Sequence, residues 1–117
     1  MSNDDADDAV FKALGHRVRR RILDFLKTEP RTTGMLCDLF PDLDRCTVMQ
    51  HLGVLERAGL VVPVKKGRER FNYLDAMPIQ AIHERWIGPH AAQAGQRLLQ
   101  LKRELEYAGE KEKESAR

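Results

Sequence analysis

Two stretches of the 117-residue chain concentrate the side chains with chemical capacity. The first, residues 44–59, reads DRCTVMQHLGVLERAG. Val48, Leu52 and Leu55 recur at helical spacing and form one apolar stripe, which leaves Cys46, Gln50, Gly53 and Arg57 on the opposite side. An exposed helix face usually carries Lys and Glu, yet this one opens with an uncharged amide and has a glycine behind it. The Gln50 amide donates and accepts at once, which matches the major-groove edge of adenine. The second stretch, residues 65–70, reads KKGRER, with Lys65, Lys66, Arg68 and Arg70 around Gly67. Cations on long stems there reach phosphates or the minor groove and read little sequence. An uncharged reading face followed by a basic arm suits duplex DNA. The first stretch alone would equally suit an ordinary amphipathic helix, so its surroundings decide.

Other chemistries find little support. The only serines are Ser2 and Ser115, near the two ends, so the interior of the sequence offers no serine nucleophile. Cys37 and Cys46 have no histidine at a telling spacing, and no glycine-rich phosphate loop or paired-carboxylate motif occurs. No enzyme and no cofactor is expected. Two cysteines do not make a disulfide framework. Cys46 falls in the first turn of its helix, where the positive dipole end and Arg45 favour a thiolate. A redox-responsive thiol there, with Cys37 as the other candidate, stands open beside the reading of an inert small residue. Charged residues make up 32% of the chain, and no apolar run approaches the roughly 18 residues of a membrane span. The start, MSNDDADD, is the opposite of a secretory leader, so the cytoplasm is the expected compartment and no membrane a partner. The net charge of +2 is unevenly spread. Residues 9–75 hold thirteen Lys/Arg against eight Asp/Glu, which puts the basic excess where a nucleic-acid surface would need it.

These residues need elements to position them. The acidic start reads as a frayed lead into a helix through Ala6, Val10, Phe11 and Leu14, broken at Gly15. A second helix over residues 16–28 is expected to bury Val18, Ile22, Phe25 and Leu26. Arg17, Arg19, Arg20 and Arg21 crowd its first turns, a poor place for cations, so something other than helix stability should require them. Pro30 follows its end. Thr32 or Thr33 then caps a short helix through Leu36, Leu39 and Phe40, closed by Pro41. Asp44 suits the N-cap of the next helix and Gly59 the left-handed residue after it. Two helices joined by a tight turn make a helix-turn-helix. Beyond Gly59 the pattern alternates, giving a hairpin of residues 60–64 and 70–74 about the basic turn. Pro63 makes that ribbon an edge. A basic hairpin directly after a helix-turn-helix is a wing.

Pro78 opens a further helix with Ile79, Ile82 and Trp86 as its stripe, and Gly88-Pro89 kinks or breaks it. Ala91, Ala94, Leu98, Leu101, Leu105 and Ala108 then step by three and four, a heptad seam. A second copy of the chain would bury it, and so would packing back onto the same chain; its length and narrowness favour the dimer. The expected fold is therefore mainly α with a small β-hairpin, a winged helix-turn-helix of order α-α-α-α-β-β-α that dimerises through its terminal helices. Residues 1–117 read as one domain, with a dimerisation helix near 78–108 and a disordered tail near 109–117.

In that order of elements the chain resembles the winged-helix repressors of the ArsR/SmtB family, over about residues 13–86. ALGHRVRRRIL is similar to the family's opening A-L-x-x-x-x-R-x-x-I-L. CTVMQHLGVLERAGLV resembles S-T-V-S-x-H-L-x-x-L-x-x-A-G-L-V, and GRERFNYL resembles the wing's G-R-x-x-x-Y-x-L. PIQAIHERW resembles a subgroup with a tryptophan early in the last helix. Cys46 and Met49 depart from the family by standing where it usually has serines, which implies a different target sequence. The resemblance implies a two-fold dimer on operator DNA, released by an effector that the sequence does not identify. It places Arg45, Cys46, Thr47, Met49, Gln50 and His51 at the DNA-facing start of the recognition helix, and matches Lys66, Arg68 and Arg70 to the wing. His51 lies close enough to the apolar stripe to pack instead of contacting a base. Many members sense metals, one site being E-L-C-V-C-D-L on the first helix of the helix-turn-helix. Residues 33–39, TGMLCDL, keep Cys37 but offer Met35 for the other thiolate, short of the three or four soft ligands such a site needs. The alternative site on the terminal helix requires histidines that residues 91–117 lack, although His83 and His90 precede it. No metal is expected. A winged-helix module that binds protein and no DNA is the other class, and the retained basic wing argues against it.

Overall fold

The computed structural model describes residues 3–88 and 91–115, with side chains described as far as Glu112. The elements follow in the order α1 (Asn3–Leu14), α2 (Arg17–Leu26), β1 (Arg31–Thr32), α3 (Thr33–Asp38), α4 (Arg45–Arg57), β2 (Val61–Lys66), β3 (Glu69–Leu74), α5 (Met77–Trp86) and α6 (Ala91–Ser115). They form two compact units that divide between Ile82 and His83.

In the first unit, the helices bury one shared core. Val10 and Ala13 come from α1, Ile22, Leu23 and Leu26 from α2, and Leu36 from α3. The apolar stripe of α4 completes it, with Val48, Leu52 and Leu55 almost wholly buried. Val18 and Phe25 are only partly buried, and Leu23 takes the interior place beside Ile22 instead. Helix α1 includes the acidic residues that the sequence suggested would fray, with Asp4 and Asp5 in its first turn, where the dipole favours them.

The arginines crowding the start of α2 have a structural use. Arg19 donates from Nε to the Ala13 carbonyl at 2.8 Å and from Nη2 to the Lys12 carbonyl at 2.9 Å. Arg20 donates to the Leu14 carbonyl at 2.7 Å. The last carbonyls of a helix have no partner within it, so these two side chains cap α1 from the helix that follows.

Helix α3 is capped by Thr32, whose hydroxyl accepts from the Met35 amide at 3.1 Å. Thr32 also belongs to β1, a two-residue strand that the sequence did not disclose. The sheet therefore has three antiparallel strands in the order β1-β3-β2, rather than a lone ribbon. Arg31 pairs with Asn72 and Thr32 with Phe71. Strand β2 is the edge that Pro63 requires, in register with Asn72. Asn72 is fully buried in the central strand and donates to the Arg31 carbonyl and the Thr33 hydroxyl.

Beyond β3, the dimerisation segment expected near 78–108, with a kink or break at Gly88-Pro89, is two helices, α5 and α6. The expected break at Gly88-Pro89 falls partly on Pro89, which with His90 lies outside the described residues. Ile79 and Ile82 pack against the core of the first unit, but Trp86, expected on the same stripe, is 61% exposed. Helix α6 continues through Gly109 to Ser115, where a disordered tail was expected. Leu98, Leu101 and Leu105 lie exposed along it, as does Leu99 outside the heptad seam. Among the described residues no helix is long and apolar enough to cross a membrane.

Candidate nucleic-acid interface

Both ends of α4 are built by local chemistry. Asp44 caps the first turn, its Oδ1 accepting from the Thr47 amide at 2.7 Å. Hydrogen bonds from Thr47 hold the Asp44 carboxyl below its ordinary value. At the other end, Gly59 adopts φ +79°, its amide donates to the Glu56 carbonyl, and the Leu60 amide donates to the Leu55 carbonyl. That pair of bonds is the Schellman closure, sealed by the buried side chains of Leu55 and Leu60. The helix is thereby fixed at start and finish, and its outer face has a definite aim.

Arg45, Cys46, Met49, Gln50 and Arg57 are exposed on that face. Thr47 is half-buried beside the cap. The hairpin turns through Gly67 and Arg68, since Lys66 pairs with Glu69 across it. Gly67 has φ +63° while Arg68 does not enter the left-handed region, the pattern of a type II′ turn. A cleft of about 370 Å³ brings the two stretches together. Arg45, Met49 and Gly53 line it from α4, and Arg68, Glu69 and Arg70 from the hairpin. Cys46, Gln50 and Arg57 line a second, more open hollow beside it on the same helix, sharing Met49 and Gly53 with the first.

Three of the expected contact residues are engaged within the protein. Arg70 donates from Nη2 to Glu56 on α4 at 2.7 Å. Both side chains are about two-fifths exposed, so the pair adds little stability, but it ties the wing to the recognition helix. The Arg70 Nε is buried without a hydrogen-bond partner. Lys66 donates to the Tyr73 hydroxyl at 3.1 Å, with its ammonium 5.4 Å from the Phe71 ring centroid and 5.7 Å from that of Tyr73. The cation is thus held over an aromatic pair. His51 is half-buried, with Nδ1 3.2 Å from Arg19 Nη1 and its ring centroid 4.4 Å from that of His16. Neither Glu56 nor the Arg19–His51 link was legible beforehand; the only hint was the misplaced charge at the start of α2.

Cys37 is partly buried on α3 and Cys46 exposed on α4, and both are free thiols. Met35, which stands where the resembled metal-site motif has its other thiolate, is 49% exposed. Among the described residues, no three His, Cys, Asp or Glu side chains come together as metal ligands would.

The chain as a whole is similar to known transcriptional regulators. A family profile described as a helix-turn-helix domain matches residues 14–64. The chain is 35% identical over 86 residues to YuzN, an HTH-type transcriptional regulator of Bacillus subtilis, an alignment spanning 68% of this chain and 94% of that one. It is 31% identical over 71 residues to the transcriptional repressor SdpR of the same organism, across 61% and 78% of the two chains. The solved structure of an ArsR-like transcriptional regulator from Rhodococcus sp. RHA1 superimposes with a TM-score of 0.65 at 27% identity, over 87% of this chain and 92% of that one.

Proposed function

Because the chain belongs to the ArsR family of helix-turn-helix transcriptional regulators, we propose that it occupies a palindromic operator as a two-fold dimer, represses transcription there, and is released by an effector. The observation that carries the reading is the shared cleft, where the outer face of α4 and the basic hairpin converge on one surface. Arg45, Gln50 and Met49 read base edges in this proposal, and Lys66, Arg68 and Arg70 hold phosphates. The exposed leucines of α6 supply the dimer seam, and two-fold symmetry sets the two recognition helices roughly 34 Å apart along one DNA face.

The test is selection of a duplex from a random-sequence pool, followed by fluorescence anisotropy of the selected sequence across a salt series. Affinity should fall by roughly 10³-fold or more between about 50 and 200 mM salt, because each neutralised phosphate releases a counterion. Retention of no duplex, or affinity indifferent to salt, would leave the protein-interaction reading in its place. Cys46, exposed on the same face, supports release by thiol oxidation, which would add bulk where the groove must fit. Peroxide should then weaken the wild type and spare Cys46→Ala; equal affinity with a modified thiol would dismiss that route.

A further inference from the structure

His51 belongs to the recognition helix, yet its ring meets Arg19 and His16. The Arg19 guanidinium is shared among three acceptors. Two are the Ala13 and Lys12 carbonyls at the end of α1, at 2.8 and 2.9 Å, and the third is His51 Nδ1 at 3.2 Å. A guanidinium has only donors, so His51 Nδ1 must accept and the single ring proton sits on Nε2. His16 closes the cluster from the turn between α1 and α2. Its own Nδ1 accepts from the Val18 amide at 3.1 Å as the cap of α2, and its ring lies tilted 46° to that of His51. One side chain on α2 therefore joins the end of α1 to the middle of α4. A protonated His51 would present N–H to N–H and a cation to a cation.

We infer that His51 is a positioning residue: its neutral imidazole, acting through Arg19, pins the recognition helix to the end of α1, and protonation undoes that pin and weakens DNA binding. The inference rests on the DNA-binding reading above. The groups acting on the ring's charge are His16 from the turn and Arg19 from α2, and both oppose protonation. α1 offers its Lys12 and Ala13 carbonyls to Arg19. Burial first, then His16 and Arg19, hold the His51 pKa below the ordinary value of 6.5. The folded value is the lower one, so the pin is intact above the ordinary value and is lost as pH falls through the depressed one. A histidine touching phosphate would do the opposite, since gaining charge there strengthens binding.

The opposite signs make the test. The full chain is titrated against its pool-selected duplex by fluorescence anisotropy from about pH 7.5 to about pH 5.5, at fixed salt, with His51→Gln and His16→Asn alongside. Wild-type affinity should fall by about three- to tenfold on acidification, and His51→Gln, which cannot titrate, should flatten the profile. His16→Asn, which keeps an N-cap acceptor, should retain most of the slope. Affinity that rises on acidification through His51, or a slope that survives His51→Gln, overturns the inference and leaves the DNA-binding reading standing. Retention of no duplex at the higher pH overturns both. Should His51→Gln fail to fold, the wild-type imidazole nitrogens decide by NMR. A proton on Nε2 with Nδ1 bare at neutral pH supports the pin, and the reverse tautomer ends it.

Discussion

Gln50 and Lys66 sit on the same candidate surface but should fail differently when removed. Gln50 is exposed near the start of α4, with a side chain suited to the bidentate bond that an adenine edge accepts and donates. Gln50→Ala should cost roughly 1–3 kcal/mol on the selected duplex and almost nothing on random DNA. Lys66 is held over Tyr73 and Phe71, so its charge is placed before DNA arrives. Lys66→Ala should weaken both DNAs alike and reduce the salt slope by about one unit per half-site. Paired anisotropy titrations on the two DNAs check this. The assignment is wrong if Lys66→Ala changes sequence preference while Gln50→Ala lowers every affinity equally. The position of Gln50 followed from periodicity alone, because three buried apolar residues on one side dictate what lies on the other. The engagement of Arg70 with Glu56 did not, since two residues fourteen apart meet only once β3 has folded against α4.

The elements were most legible where a local interaction ends them. Asp44 and Gly59 delimit α4 as read, because a cap needs only its own neighbours. Pro63 marks the edge strand for the same reason. Strand β1 escaped notice because two residues carry no periodicity, and their partners lie 41 residues away from Arg31 in the sequence, at Asn72. The sequence showed that the arginines at the start of α2 need a reason outside their own helix, but not which one, since Arg19 and Arg20 serve the helix before their own. The end of α4 offers a direct check. A β-carbon at Gly59 would meet nothing closer than Pro78 Cγ at 3.7 Å, so the space is adequate and only the backbone objects. Gly59→Ala should therefore destabilise the first unit by about 1–2 kcal/mol, the cost of a left-handed residue with a side chain. Chemical denaturation measures it, and an unchanged midpoint would mean that the turn relaxes.

At the scale of the whole molecule, the exposed leucines of α6 ask for a partner. Leu98→Asp with Leu101→Asp puts two charges into the proposed seam, with no counter-charge designed for them. Sedimentation should show the doubly substituted chain as a monomer, and operator affinity should drop because one half-site supplies only part of the binding energy. A variant that remains dimeric would place the dimer contact elsewhere. The three-stranded sheet carries a different consequence. Backbone bonds from Arg31 and Thr32 to β3 close a ring of chain that contains both helices of the helix-turn-helix. Ring closure over such a span costs entropy that only the finished contacts return. Pairing of β1 with β3 should accordingly come late in folding, after the two helices it encloses have packed, whereas the local hairpin of β2 and β3 needs no such closure.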